Sequence, residues 1–184
     1  MKNLCIKFSI FIIFSLLSLE ACKDNGVTPI PQPTYRFVFE IEYINYAWGY
    51  AHNGIYIDST GTLHRYSYEG SSDIWHTDST GFYTREQLLS KYKHQDTVIM
   101  TINQDTVMKY FAMIDAAALG SYSDTSVVGA DMGEFSYIAY KYNPVTKKYQ
   151  QIVLQEDGDW SFYNQSPSAM KIAAWLNSYR QDVF

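Results

Sequence analysis

Along residues 35–43 apolar and polar side chains alternate. Tyr35, Phe37, Phe39, Ile41 and Tyr43 fall on one side, and Arg36, Val38, Glu40 and Glu42 on the other. A period of two predicts a half-buried strand. Residues 46–54, Tyr-Ala-Trp-Gly-Tyr-Ala-His-Asn-Gly, read as an aromatic loop. Two short strands follow at 55–58 and 62–69, joined by Asp58-Ser59-Thr60-Gly61, a hairpin turn in which Gly61 is free to take positive φ. The same tetrapeptide recurs at Asp78-Ser79-Thr80-Gly81. No hydrophobic pattern repeats with it, so it does not announce a repeat architecture. Gln95-Asp96-Thr97-Val98 and Gln104-Asp105-Thr106-Val107 match in the same limited way and fall on different elements.

Helical signals come next. Thr84-Arg85-Glu86-Gln87 is a capping-box pattern, predicting a short helix to about Tyr92 inside an insertion that spans 71–95. After a strand at 97–102, Asn103 caps a second helix to about Ala118, with Val107, Phe111, Ile114 and Ala118 in one stripe and Gly120 as its stop. Residues 121–133 form a polar loop. Strands at 134–142 and 148–155 flank a turn at Asn143-Pro144, and Asp157-Gly158-Asp159 turns the chain into a last strand at 160–163. Ser166 and Pro167 open a helix to about Tyr179 whose inward positions are Ile172, Ala173, Leu176 and Tyr179. Strands connected mainly by hairpins predict an α+β class: an antiparallel sheet with two longer helices packed on one face, plus the short helical insertion.

The N-terminal region has a different character. Lys2 and Lys7 precede a short apolar run at 8–19, and Leu19-Glu20-Ala21-Cys22 closes it. A bilayer core needs about 20 apolar residues, so this is the layout of an export signal rather than a spanning helix. An ordinary signal cut near Ala21 and an uncleaved N-terminal anchor are the alternatives. The tetrapeptide resembles the lipobox of bacterial lipoprotein precursors: Leu, a variable position, a small residue, then Cys. Glu20 departs from the small or apolar residue commoner at its position. The resemblance implies cleavage after residue 21 and acyl chains on Cys22, a lipid anchor without a transmembrane helix. Lys23-Asp24-Asn25 look like a weak surface-export signal, with a solvated linker as the alternative. Pro29, Pro31 and Pro33 then forbid helix and favour an extended tether over 22–34. The expected organisation is thus signal 1–21, tether 22–34 and one α+β domain over 35–184, on an outer-membrane lipoprotein, with exposure at the cell surface as one option.

Removing residues 1–21 leaves 163 of 184 residues, enough for one domain. Lys2, Lys7 and Glu20 leave with the signal, so the 14 basic and 19 acidic side chains become 12 and 18, a net charge of −6. That charge repels phosphate backbones, and nucleic acid is not an expected partner. Cys5 leaves with the signal and Cys22 carries lipid, so the domain has neither a disulfide nor a thiolate ligand. Its 17 tyrosines suit strand faces and half-wet surfaces alike.

Candidate chemistry is sparse. His52, His64 and His76 are spaced by 12, but zinc sites use shorter pairs, so no metal site or other cofactor is expected. No Gly-x-Ser-x-Gly elbow or phosphate-cradling loop is present. Two acidic groups, Asp124, Asp131 and Glu134, then Glu156, Asp157 and Asp159, admit a paired-carboxylate reading. Solvated turns are the plainer reading, and no catalytic residue is assigned. The aromatic run offers a binding surface of Tyr46, Trp48, Tyr50 and His52, unless Trp48 folds back to cap the sheet.

In element order the domain resembles emfourin-type inhibitors of thermolysin-like metalloproteases. The stretches that carry the resemblance are 39–66, 107–119 with Asp115-Ala116-Ala117, 131–140 and 168–176. The insertion departs from that compact layout. The resemblance implies the fold and, as an alternative function, metalloprotease inhibition, presented through loop 46–54 or loop 121–133. The main expectation is a non-catalytic binding module, anchored to the membrane through Cys22, for a protein or glycan partner.

Overall fold

The computed structural model describes residues 35–69, 75–93 and 97–184. Residues 1–34, on which the expected export signal, Cys22 and the expected tether fall, lie outside the described residues, as do 71–74 of the insertion and Gln95-Asp96 of the first Gln-Asp-Thr-Val run.

Among the described residues nine strands build one antiparallel sheet: β1 (Phe37–Asn45), β2 (Ala51–Asp58), β3 (Thr62–Glu69), β4 (Phe82–Thr84), β5 (Thr97–Thr101), β6 (Ser126–Val127), β7 (Glu134–Asn143), β8 (Lys148–Gly158) and β9 (Trp160–Tyr163). Their order is β5-β3-β2-β1-β7-β8-β9-β6, with β4 also on β8. β4 pairs at Lys148 to Gln150 and β9 at Gln155 and Glu156, so the two short strands share one edge of β8, one at each end. Among the described residues the helices are α1 (Arg85–Lys91), α2 (Gln104–Phe111), α3 (Ile114–Ala117) and α4 (Pro167–Asn177), followed by a short 3-10 turn at Arg180–Val183. The class is α+β, as expected. Among the described residues no helix is long and apolar enough to cross a membrane.

Local chemistry explains the elements. Thr84 and Gln87 close the capping box of α1 in both directions, Gln87 N donating to Thr84 Oγ1 at 3.2 Å and Thr84 N to Gln87 Oε1 at 2.7 Å. Asn103 and Ser166 cap α2 and α4 as expected, accepting from Asp105 N and Ser168 N. The expected helix over 103–118 divides, because Met113 N bonds to Tyr110 O three residues back and the tighter turn ends α2 before α3 begins. The two Asp-Ser-Thr-Gly segments fold into twin turns. In each, one aspartate oxygen accepts from Thr Oγ1 (2.6 Å), Thr N (2.9 Å) and the amide two residues further on, and the glycine sits at φ 86° or 81°.

One apolar cluster joins Phe39, Ile41, Ile55, Ile57, Tyr137, Ala139, Ile152 and Leu154 of the sheet to Val107, Ile114, Ala117, Ile172, Ala173 and Leu176 of α2, α3 and α4. Each large apolar side chain so buried contributes roughly 1.5–3 kcal/mol. A second cluster holds Phe37, Tyr56, Tyr66, Tyr68, Ile138, Tyr140 and Tyr149 against Tyr83, Leu88 and Tyr92 of the insertion. This second core corrects the half-buried reading of β1. Its polar side is covered too, so Glu40 and Glu42 are buried. A bulge between Phe37 and Phe39 turns Val38 to the first core and Phe37 to the second.

Candidate functional site

β1 and β2 pair antiparallel, which sets Ile44 opposite His52 and Glu42 opposite Gly54. The aromatic loop is therefore shorter than expected. β2 begins at Ala51, and His52, Asn53 and Gly54 belong to it. Gly54 does not serve a loop. It faces Tyr66 across the β2–β3 ladder, and a Cβ there would stand 2.3 Å from the Tyr66 ring.

That missing side chain lets Tyr66 reach Glu40. Tyr66 Oη and Tyr140 Oη each donate to one oxygen of the Glu40 carboxylate. From the other side α1 delivers Lys91, whose Nζ lies 2.9 Å from Glu40 Oε1 and 2.6 Å from Glu42 Oε1. Tyr68 Oη fixes the end of α1 by donating to the carbonyls of Ser90 and Lys91, at 3.0 and 2.5 Å. Glu42 Oε1 also lies 2.6 Å from His52 Nε2, and His52 Nδ1 lies 3.1 Å from Tyr50 Oη. A buried polar relay thus runs Lys91, Glu42, His52, Tyr50. Burial opposes charge at both ion-pair partners, yet attraction prevails. Lys91 and His52 hold the Glu42 carboxyl down at about 2, and the two carboxylates hold the Lys91 ammonium well above its ordinary range. Burial, followed by the nearby Tyr46 and Glu42, pushes the Tyr50 phenol up to about 12, so it stays a hydroxyl.

The outer end of this relay is the floor of a cavity of about 620 Å3. Its walls are aromatic: Tyr46 and Tyr50 from the β1–β2 connection, Trp75 and Tyr83 from the insertion, and Trp160 from β9. Tyr46 and Tyr50 rings pack at 5.5 Å, and Trp75 leans on Tyr68 at 4.6 Å while Tyr83 Oη donates to Trp75 O. Asn45 shapes the connection: its Oδ1 accepts from Ala47 N and its Nδ2 donates to Tyr43 Oη and Asp131 O. Opposite, residues 131–133 are stitched into place by Tyr43 Oη on Met132 O, Met132 N on Asp159 Oδ1 and Asp159 N on Gly133 O.

The acidic residues do not stay on separate solvated turns. β7 pairs with β8 so that Glu134 meets Gly158 and Ser136 meets Glu156. Asp131, Glu134, Glu156 and Asp159 therefore line the same cavity as Glu42. Glu134 and Glu156 therefore sit diagonally across the β7–β8 pair. Burial and the Glu134 carboxyl raise Glu156 to about 8, so at neutral pH the pair holds one proton. Asp157 instead accepts from Gln155 and faces Arg180 at 3.5 Å, and neither it nor Asp124 lines the cavity.

Of the sequence-derived binding residues, the fold brings Tyr46, Tyr50 and His52 together on the cavity and leaves Trp48 off its lining. Trp48 is 83% exposed and does not cap the sheet, whereas His52 is buried. His76 shares the cavity, but His64 stacks on Tyr56 at 4.5 Å and bonds to Asp58. Among the described residues no group of three His, Cys, Asp or Glu is arranged to hold a metal. Trp75, Tyr83 and Trp160 carried no individual signal in the sequence, since they lie apart in the chain: Trp75 ahead of β4, Tyr83 on β4 and Trp160 on β9. No family model, curated protein or solved structure matches this chain.

Proposed function

We propose that this chain is an exported lipoprotein, anchored to the outer membrane by acyl chains on Cys22, whose domain is a non-catalytic binding module for a protein or glycan partner. The observation that carries the binding reading is the aromatic-walled cavity, with Trp48 (83%) and Tyr46 (61%) exposed beside it. Large rigid aromatic surfaces around a concavity are the usual anchors of recognition. A protein partner is favoured over a glycan, because the edge next to the cavity is aliphatic. Val127 pairs with Trp160, Val128 N donates to Asp159 O, and Val127, Val128 and Met132 are exposed.

The non-catalytic reading has its own support. His52 has a partner on each ring nitrogen, and Tyr50 is held as a hydroxyl.

The test is capture from native surface extract with the mature acylated protein in detergent micelles, in wild-type form and as Tyr46→Ala/Trp160→Ala. A partner retained by the wild type and lost by the double variant supports the cavity as the site. Equal retention rejects it. Capture of a metalloprotease that the protein inhibits at stoichiometric dose would instead favour the inhibitor reading.

A further inference from the structure

Resting on the cavity as the binding site, we propose that the group it receives is an organic cation, the ammonium or guanidinium of a lysine or arginine side chain on a protein partner.

The walls come first. Five aromatic side chains, Tyr46, Tyr50, Trp75, Tyr83 and Trp160, line the cavity, and none of the lining residues is Lys or Arg. Aromatic faces are negative and attract a cation within about 6 Å, most strongly where water is excluded. Five carboxyl groups, Glu42, Asp131, Glu134, Glu156 and Asp159, converge on the same space from β1, β7, β8 and the turns beside them. Lys91, which reaches Glu42 from behind the cavity, is buried and already engaged by Glu40 and Glu42. Negative charge in the cavity therefore exceeds what the surrounding described residues neutralise.

Burial, and then the neighbouring Glu134 carboxyl, raise Glu156 and favour a retained proton on the pair. An arriving ammonium would do the proton's work from the cavity side, and the proton would leave to solvent as the cation enters. The other titratable groups lining the cavity with the pair are Glu42, His52, Tyr46 and Tyr50 from β1, β2 and their connection, His76 and Tyr83 on the insertion, and Asp131 and Asp159 on the turns. A neutral sugar would make no use of the charge. The aliphatic edge formed by Val127, Val128 and Met132 gives a peptide backbone and its neighbours a surface to lie on.

The experiment titrates the mature acylated protein in detergent micelles with four probes: a Gly-Gly-X-Gly-Gly peptide, blocked at both ends, with X as lysine, arginine or norleucine, and an oligomer of glucosamine. Tryptophan fluorescence reads binding, since Trp75 and Trp160 line the cavity. The lysine or arginine peptide is expected to bind at least ten-fold more tightly than the norleucine peptide. Its binding is expected to tighten from pH 6 to pH 9 and to release protons, measured by calorimetry in two buffers. Glu134→Gln/Glu156→Gln is expected to lose about ten-fold in affinity and the proton release together. Equal binding of norleucine and lysine peptides overturns the cation. Binding of the glucosamine oligomer without either basic peptide overturns the protein source. Binding of none of the four probes, while the Tyr46→Ala/Trp160→Ala variant still loses its captured partner, overturns the cation and leaves the binding site standing.

Discussion

The ammonium of Lys91 lies 2.6 Å from Glu42 Oε1 with both groups out of water, which ties the insertion to the central strand of the sheet. Glu40 completes the arrangement at 2.9 Å, with two tyrosine hydroxyls on its other side. A buried ion pair adds little over a well-packed apolar replacement, but it is costly to break from one side. The cluster therefore fixes where α1 sits, and through Trp75 and Tyr83 it fixes one wall of the cavity.

Lys91→Met is expected to cost about 3–5 kcal/mol in urea unfolding, because it strands two carboxylates in the interior. The triple change Lys91→Met, Glu40→Gln and Glu42→Gln should recover most of that loss. If the single variant unfolds at the wild-type midpoint, the cluster is not holding the insertion.

Stability should fall toward both acid and alkaline pH for two different reasons. Glu42 has its pKa depressed from 4.5 to about 2, so its contribution is present above 4.5 and disappears as pH drops toward 2. Glu156 has its pKa raised from 4.5 to about 8, so the folded state keeps a proton that the unfolded state releases. Its contribution is intact below 4.5 and is lost as pH rises to 8. Urea midpoints measured from pH 3 to 9 should show both slopes. Glu156→Gln should flatten the upper one and leave the lower one in place.

The twin turns offer an internal control. Gly61 and Gly81 share a left-handed backbone, and alanine at either site should cost about 1–2 kcal/mol for conformation alone. A Cβ on Gly61 would meet Ile102 O at 2.6 Å, whereas nothing lies within 4 Å of one on Gly81. Gly61→Ala should therefore lower the melting temperature more than Gly81→Ala. Equal shifts would mean that the Gly61–Ile102 contact relaxes freely.

Lipid attachment is tested at Cys22. The precursor expressed with labelled fatty acid should incorporate label and partition with the membrane, and Cys22→Ala should do neither. Equal label in both would remove the anchor from the proposed function.

Local chemistry settled much of this protein in the sequence alone. The Thr84–Gln87 capping box, the caps at Asn103 and Ser166 and the Asp-Ser-Thr-Gly turns depend on neighbours a few residues away, so they were legible. The alternation of apolar and polar positions misled for β1. Glu40 and Glu42 follow the pattern of a wetted face, and nothing local shows that a segment some fifty residues later will cover them and bring a lysine to match. The site divided in the same way. Tyr46, Tyr50 and His52 stood out because they cluster in the chain. Glu134 and Glu156 were visible only in two separate acidic groups, and Trp75, Tyr83 and Trp160 not as site residues at all, because tertiary packing and strand register bring them to one cavity. Turn and cap preferences act over a single turn of chain, whereas the cavity and its charge arise only where β1, β8 and the insertion meet. Those features were decided by tertiary packing.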